Sequence, residues 1–495
     1  MICISIAQES RRLALADMLN ASKQCDLLEV RLDRFGKAPD IGELLTHKPK
    51  PIIFSCRRKK DGGDWPGTEE ERLTLLRQCV VSKSDYVEIE LDVADQIRKF
   101  GTTKRVITHI DLQETPPDIA EIYGEAQTKS PDVIKIITQA RTPEEAWPLL
   151  KILANPPVPT VAVGLGKPGI MLTILGKRIG SPWTYAALER GMEAYPGQPT
   201  VRELQDTYHY SSIGPSTRFV GVTGFGERER VSTAVMNHVF ASSNLPLRCL
   251  PLGVGNVELL LKIMNAVHLR ALVVDDENQG QMMKMTASND PSALASQAAD
   301  LLTPTKEKEW HGANTLGDAA VTALVTTLKS DPSANPLEGR MIMIVGTNPT
   351  ARAVAWRVKE AGGVIIVASH NRDEALRLAQ VLECRHVQFE ALYSTMHDVL
   401  IVCDEEKDQT RSKRGSGEAG LHPGYLRPGM TVMDLATRTG KSTLLQDAAA
   451  RGCRVVEPVA VLQGQLLAQL KSVTGNDVPR ALVQEKLTSM LAEAQ

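Results

Sequence analysis

The sequence predicts an α/β protein led by a closed (β/α)8 barrel, on three observations. At 495 residues the chain exceeds what one ordinary core holds, so two to four domains are expected. Over roughly the first two hundred residues, short β-rich runs alternate with helix-like stretches, which implies a parallel sheet with its active site at the strand C-termini. Further on, Met341-Ile342-Met343-Ile344-Val345-Gly346 reads as a strand entering a turn, followed by a helix over Ala351 to Ala361 and a strand over Val364 to Ala368. That is the pattern of a βαβ unit.

The barrel runs are Ile2 to Ala7, Leu27 to Leu32, Pro51 to Cys56, Tyr86 to Leu91, Arg105 to His109, Val133 to Ile137 and Thr160 to Val163. Each is rich in Val, Ile, Leu or aromatic residues, as a buried strand requires. Tyr208 to Arg218, with Ser211-Ser212-Ile213-Gly214-Pro215-Ser216, is small and polar and reads as a linker. Strand-like Phe219-Val220-Gly221-Val222 opens a second domain, which includes Ala271 to Val274 and helical segments to Lys329. Asp331 to Pro336 is a second break, and Lys407 to Gly420 is a charged, Gly/Ser-rich loop.

Composition is that of a globular protein: 42% hydrophobic, 23% charged, net charge -2. So balanced a charge supplies no broad field for nucleic acid or anionic membrane, and neither partner is expected. Glu9, Arg11 and Arg12 interrupt the place of a secretory apolar stretch, and no segment runs uncharged for a bilayer's width, so a cytoplasmic protein is expected. Eight scattered cysteines form no Cys-x-x-Cys pair, which predicts reduced packing residues and no metal.

Lys135 is a lone lysine in the apolar run Val133-Ile134-Lys135-Ile136-Ile137. An ammonium taken out of water tends toward the neutral amine, which can attack a ketone and form an imine; the alternative is a carboxylate partner for a structural lysine. Glu29 and Arg31 stand two apart, on one face of their strand, suited to a polyhydroxylated acid or to a plain ion pair. Arg57 closes the third run before Asp61-Gly62-Gly63. Gly440-Lys441-Ser442 resembles the tail of a P-loop, but its required earlier glycine is Leu435, so no ATP site is expected.

Together Glu29, Arg31, Arg57, Asp61-Gly62-Gly63, Thr115-Pro116, the lysine strand, Gly180-Ser181 and Pro196-Gly197-Gln198 resemble the type I 3-dehydroquinate dehydratase family in order and spacing. The resemblance implies dehydration of 3-dehydroquinate to 3-dehydroshikimate, with Lys135 forming the imine. It further implies that Arg57, Ser181 and Gln198 hold carboxylate and hydroxyls, that Glu29 and Arg31 orient the ring, and that Ser5 and Asp61 complete the substrate-binding set. The family's acid/base histidine falls on Ile110 here; His109 lies one residue early, and serves only if a bulge re-aims it, otherwise it caps the rim. Asp61 replaces a glutamate that positions that histidine. Thr173 replaces a carboxylate-binding arginine, with Lys177 and Arg178 as nearby cations lacking its bidentate geometry.

The remainder is similar to shikimate dehydrogenase. Val345-Gly346-Thr347-Asn348-Pro349-Thr350-Ala351-Arg352-Ala353 stands where that family has its glycine-rich phosphate turn, and Asn371-Arg372 where it grips the 2′-phosphate of NADP. Gly346, Thr347, Thr350, Ala351, Arg352, Asn371 and Arg372 are therefore the implied cofactor-binding residues. Ser232, Asn314, Thr315 and Gln465 are the implied substrate contacts, while the catalytic lysine and aspartate positions hold Gln279 and Leu316, neither a proton donor at neutral pH.

These resemblances imply a (β/α)8 TIM barrel over 1–213, a shikimate-dehydrogenase-like substrate domain over 218–330 and 458–495, and a Rossmann-like NADP-binding domain over 338–457. The implied ligands are 3-dehydroquinate, 3-dehydroshikimate and shikimate; barrel enzymes often pair, which allows a homodimer. The readings are a bifunctional enzyme, a metabolite-binding or regulatory protein that has lost proton-transfer groups, or an enzyme with a related cyclic hydroxy acid as substrate.

Overall fold

The computed structural model describes residues 1–37, 39–328, 335–404, 421–436 and 442–492. The chain divides into two compact units, Met1–Phe225 with Asn244–Leu269, and Gly226–Ser243 with Arg270–Gln495.

In the first unit eight parallel strands follow one another around a sheet: β1 (Ile2–Ile6), β2 (Leu27–Arg31), β3 (Ile52–Ser55), β4 (Tyr86–Glu90), β5 (Lys104–Ile110), β6 (Val133–Gln139), β7 (Thr160–Leu165) and β8 (Thr184–Ala186). Seven coincide with the runs expected from sequence; β8, three residues long, completes the set. The order runs from β7 through β1 to β8, and β7 and β8 also approach one another, so the sheet curls into a nearly closed barrel. Cys3, Leu27, Ile53, Val106, Val133, Val161 and Tyr185 fill its interior.

Helices enter where the sequence supplies caps. Thr68 and Glu71 form a capping box ahead of the helix Glu69–Val81, and Thr142 caps the helix that Pro143 opens. The segment expected to be a linker is instead held: Tyr208 and Tyr210 are buried, and Arg248 donates to Ser212 Oγ at 2.6 Å. Strands Arg218–Thr223 and Leu247–Leu252 pair in parallel within this unit.

The second unit holds a six-stranded parallel sheet in the order Arg385–Gln388, Val364–Ser369, Met341–Val345, Val399–Val402, Thr431–Asp434, Arg454–Val456. Numbered along the chain this is 3-2-1-4-5-6, the doubly wound arrangement, whose strand order reverses beside Gly346. Also in this unit, Ala271–Val273, Leu301–Pro304 and Trp310–Ala313 pair antiparallel in turn, and Ser288–Asn289 joins Trp310–Ala313 in parallel. Gly440 and Lys441 of the P-loop-like segment, the loop 407–420 and residues 331–334 lie outside the described residues.

Candidate active site

Lys135 points into the barrel. Its Nζ lies 2.7 Å from Glu88 Oε2, 3.4 Å from Glu29 Oε1 and 4.1 Å above the centre of the Tyr185 ring. Alternation along β6 places Val133, Lys135 and Ile137 on one face, and the lysine is 1% exposed. Arg57 lies across the same space, Nη2 at 3.0 Å from Glu29 Oε1 and Nε at 3.3 Å from Glu88 Oε1. Ser5 Oγ donates to Glu29 Oε2 at 2.5 Å. Two cations and two carboxylates thus balance in a dry interior, where leaving any one unpaired is costly.

Electrostatics follow from this packing. Burial alone would raise the pKa of Glu29; the Lys135 ammonium and the Arg57 and Arg31 guanidiniums overcome it and hold the carboxyl well below its usual value. Burial, reinforced by Glu29, pushes the Tyr185 phenol well above its usual range, so it stays protonated. Burial disfavours a charged Arg57, but Glu88 and Glu29 more than compensate and raise its pKa.

The walls are set by tight turns. Asp33 accepts from Arg31 Nε and Nη2 at 2.8 and 2.7 Å and from the backbone N–H groups of Arg57 and Asp64, pinning two loops to one carboxylate. A Cβ on Gly63 would sit 2.1 Å from the Arg57 carbonyl oxygen, so only glycine lets the Asp-Gly-Gly loop fold back there. Gly197, with φ +83°, tucks the Pro-Gly-Gln turn against Gly166, whose N–H donates to Pro196 O at 2.9 Å. The enclosed space, lined by Ser5, Glu29, Arg57, Lys135, Tyr185 and Tyr195 among others, is a cavity of about 50 Å³.

In the second unit a fully buried carboxylate, Asp300, clamps the turn Asn314–Leu316. It accepts from Thr315 N and Oγ1, from Leu316 N at 2.9 Å and from Gln465 Nε2 at 2.9 Å. Gln465 Oε1 accepts from Arg228, which pairs with Asp276, which in turn accepts from Gln279 Nε2. Asn314 donates to Ser296 and to Ala298 O. Ser232 is buried in the helix Glu227–Ser242, and Lys284 is exposed at the end of the helix Gln279–Met283.

The sequence profile of type I 3-dehydroquinase matches residues 2–215. A 3-dehydroquinate dehydratase of Methanopyrus kandleri is 31% identical over 187 residues, 36% of this chain and 85% of that protein. The chain belongs to the type I 3-dehydroquinase family. A bifunctional 3-dehydroquinate dehydratase/shikimate dehydrogenase of Arabidopsis thaliana is 27% identical over 376 residues, 72% of this chain and 62% of that relative, less than two thirds of its length. A dehydroquinate dehydratase and shikimate dehydrogenase structure from S. pombe covers 98% of each chain at 18% identity and a TM-score of 0.45. The whole chain resembles such a fusion.

Within the 3-dehydroquinase barrel the structure brings Ser5, Glu29, Arg57, Asp61 and Lys135 around one cavity. Arg31 is buried beside it but turned to Asp33, and Asp61 is engaged by Arg58 Nε at 2.5 Å. Gln198 is buried, its carbonyl accepting from Ala194 N; its amide nitrogen has no partner among the described residues.

Two expected residues are not brought in. His109 is the first: β5 pairs with β6 without a bulge, Thr108 opposite Lys135 and Ile110 opposite Ile137, so Thr108 and Ile110 face inward and His109 faces out. Burial lowers its pKa, against the opposing charge of Asp111. Ser181 is the second. It precedes β8 and donates to Thr160 O at the start of β7, at the N-terminal rim, opposite the mouth. Nor do Lys177 and Arg178 replace the missing arginine, because the helix Ile170–Ile179 carries them away from the end of β7; Arg178 donates to Val267 O, and Thr173 is buried in that helix.

Sequence reasoning missed Glu88, Tyr185, Asp33, Asp300 and Arg228. Glu88 had one signal, an acid alternating with apolar residues in Tyr86-Val87-Glu88-Ile89.

The turn at Gly346 fits a dinucleotide poorly. Gly346 keeps the required φ of +113° and approaches Asp404. Asn348 caps the following helix itself, taking the Ala351 N–H at 2.9 Å, and Pro349 offers no N–H. Thr347 Oγ1 donates to Glu374 Oε2 at 2.9 Å, which sets a carboxylate beside the phosphate position, and Arg352 turns back to Thr347 O. Thr350 and Ala351 are buried in the helix, Asn371 caps the helix Arg372–Leu382, and Arg372 is exposed at its start.

Proposed function

We propose that the barrel dehydrates 3-dehydroquinate to 3-dehydroshikimate through an imine on Lys135. One observation carries this: a fully buried lysine amine set among Glu88, Glu29 and Arg57 at the C-terminal mouth of a barrel. Arg57 supplies a guanidinium for the substrate carboxylate, with Ser5 and Glu29 at the cavity wall for hydroxyls. A protonated imine draws electrons from the neighbouring carbon far better than a ketone does, which eases loss of its proton. A cavity of about 50 Å³ is smaller than the roughly 300 Å³ at the lower end of small-molecule sites, so binding includes an opening in which Arg57 leaves Glu29 for the ligand. The test is turnover of 3-dehydroquinate, read as absorbance of the conjugated product; Lys135→Ala is expected to fall to background, and a variant retaining turnover refutes the reading.

For the rest of the chain we propose a substrate domain over 218–330 with 458–495 and a Rossmann-like domain over 338–457, in which Asn371 and Arg372 stand where NADP's 2′-phosphate is gripped while the turn at Gly346 does not fit its pyrophosphate. Reduction of 3-dehydroshikimate is the reaction that this half's resemblance to shikimate dehydrogenase and to the Arabidopsis relative supports. The network Asp276–Arg228–Gln465–Asp300 supports a second reading for this half, binding of a metabolite without hydride transfer, because Gln279 and Gln465 are committed to structural partners and Leu316 is core.

A further inference from the structure

Imine formation on a lysine needs two proton movements at one place. The ammonium must lose a proton before its nitrogen can attack, and the carbinolamine hydroxyl must gain one before it leaves. In this barrel neither can be served by His109, which faces outward, nor readily by bulk water, since Lys135 is 1% and Glu88 3% exposed. Among the described residues two carboxylates face Nζ. Glu29 is the more distant, at 3.4 Å, and its oxygens already serve the Ser5 hydroxyl and Arg57 Nη2. Glu88 is hydrogen-bonded to Nζ at 2.7 Å through Oε2, while its Oε1 only faces Arg57 Nε at 3.3 Å without a formed hydrogen bond.

We propose that Glu88 is the proton carrier of imine formation, taking a proton from Lys135 and returning it to the departing hydroxyl. The proposal rests on the imine reading of the barrel and deepens it. In the first step a proton crosses from Nζ to Glu88 Oε2, leaving a neutral amine and a carboxylic acid. The nitrogen lone pair then bonds to the ketone carbon while the carbonyl π pair moves to oxygen, and a nitrogen proton shifts to that oxygen to give the carbinolamine. Glu88 returns its proton to this hydroxyl, the C–O bond breaks to release water, and the nitrogen lone pair closes the C=N bond. One ammonium and one ketone become one protonated imine and one water, and Glu88 ends as the carboxylate it began as. The side chain belongs at this point because β4 alternates: Tyr86, Glu88 and Glu90 share a face, and Glu88 stands in register with inward-facing Val106.

The experiment mixes the full-length protein with 3-dehydroquinate, quenches with borohydride at increasing times, and follows the reduced adduct by mass. Glu88→Gln is expected to slow adduct appearance at least about 100-fold while reaching the wild-type level on long incubation, which also shows that the variant folds. Its rate is expected to climb with pH, because deprotonation must then come from solvent; a merely structural lesion would lower the rate equally at every pH. Glu88→Asp, which keeps the charge one methylene back, is expected to fall between the two. Adduct formation by Glu88→Gln at the wild-type rate, or a loss in that variant that is the same at every pH, overturns the proposal. Absence of adduct in the wild type overturns the imine reading itself and the proposal with it.

Discussion

Thr108 and Lys135 stand opposite one another on β5 and β6, and that register decides the fate of the adjacent histidine. With Thr108 turned inward beside the lysine, His109 lies on the outer face of the strand, where its Nε2 is buried with no hydrogen-bond partner among the described residues.

The first prediction follows directly. His109→Ala is expected to leave 3-dehydroquinate turnover within about threefold of wild type, since a general acid/base contributes about 10²–10⁴-fold and this imidazole does not face the cavity. Steady-state kinetics of the purified variant checks it; a loss of that larger size would mean the histidine reaches the substrate.

Acid stability reports on Glu29. Its folded-state pKa lies well below 4.5, so its contribution is fully present above the unfolded value and is lost as pH falls from there through the folded value. Denaturant melts at stepped pH are expected to show wild-type stability declining below about pH 4.5. In Glu29→Gln stability at neutral pH is expected to be lower, because Lys135 and Arg57 lose a counter-charge, and the decline on acidification shallower. An unchanged slope in the variant would show that Glu29 is not the carboxylate held down by those cations.

In the second unit Leu316 belongs to the core under the helix Leu316–Leu328, 1% exposed beside Ala320, Val354 and Ile344. Leu316→Ala is therefore expected to cost about 2–5 kcal/mol in a denaturation experiment. A change of a few tenths would place this side chain in a polar site instead.

Asp300 gives a complementary test. Asp300→Ala leaves the N–H groups of Thr315 and Leu316 without their acceptor, each a buried donor worth about 1–3 kcal/mol when unsatisfied. Amide hydrogen exchange at Thr315 and Leu316 is expected to accelerate in this variant; protection equal to wild type would contradict the clamp.

What the chain disclosed before folding was uneven, for physical reasons. Seven barrel strands announced themselves because strands buried on both faces read as continuous apolar runs, but β8 is three residues long and shorter than any periodicity can register. Lys135, Glu29 and Arg57 were recoverable because a charge inside such a run is conspicuous. Glu88 was passed over because Glu90 follows it two residues on in Tyr86-Val87-Glu88-Ile89-Glu90, so neither acid stands out as a lone charge in an apolar run does. Ser181 was misplaced because linear spacing does not say which rim of a barrel a residue reaches. His109 depended on one residue of register, which only the pairing of β5 with β6 resolves. In the second unit the polar network joins Arg228, Asp300 and Gln465, segments so far apart that no local pattern connects them.

The central claim is that the Lys135 nitrogen condenses with a ketone. Borohydride reduction of the intact protein in the presence of 3-dehydroquinate, followed by proteolysis and mass mapping, tests it most directly. A reduced adduct located on Lys135 is the predicted result; an unlabelled Lys135, or label on another lysine, would contradict the account.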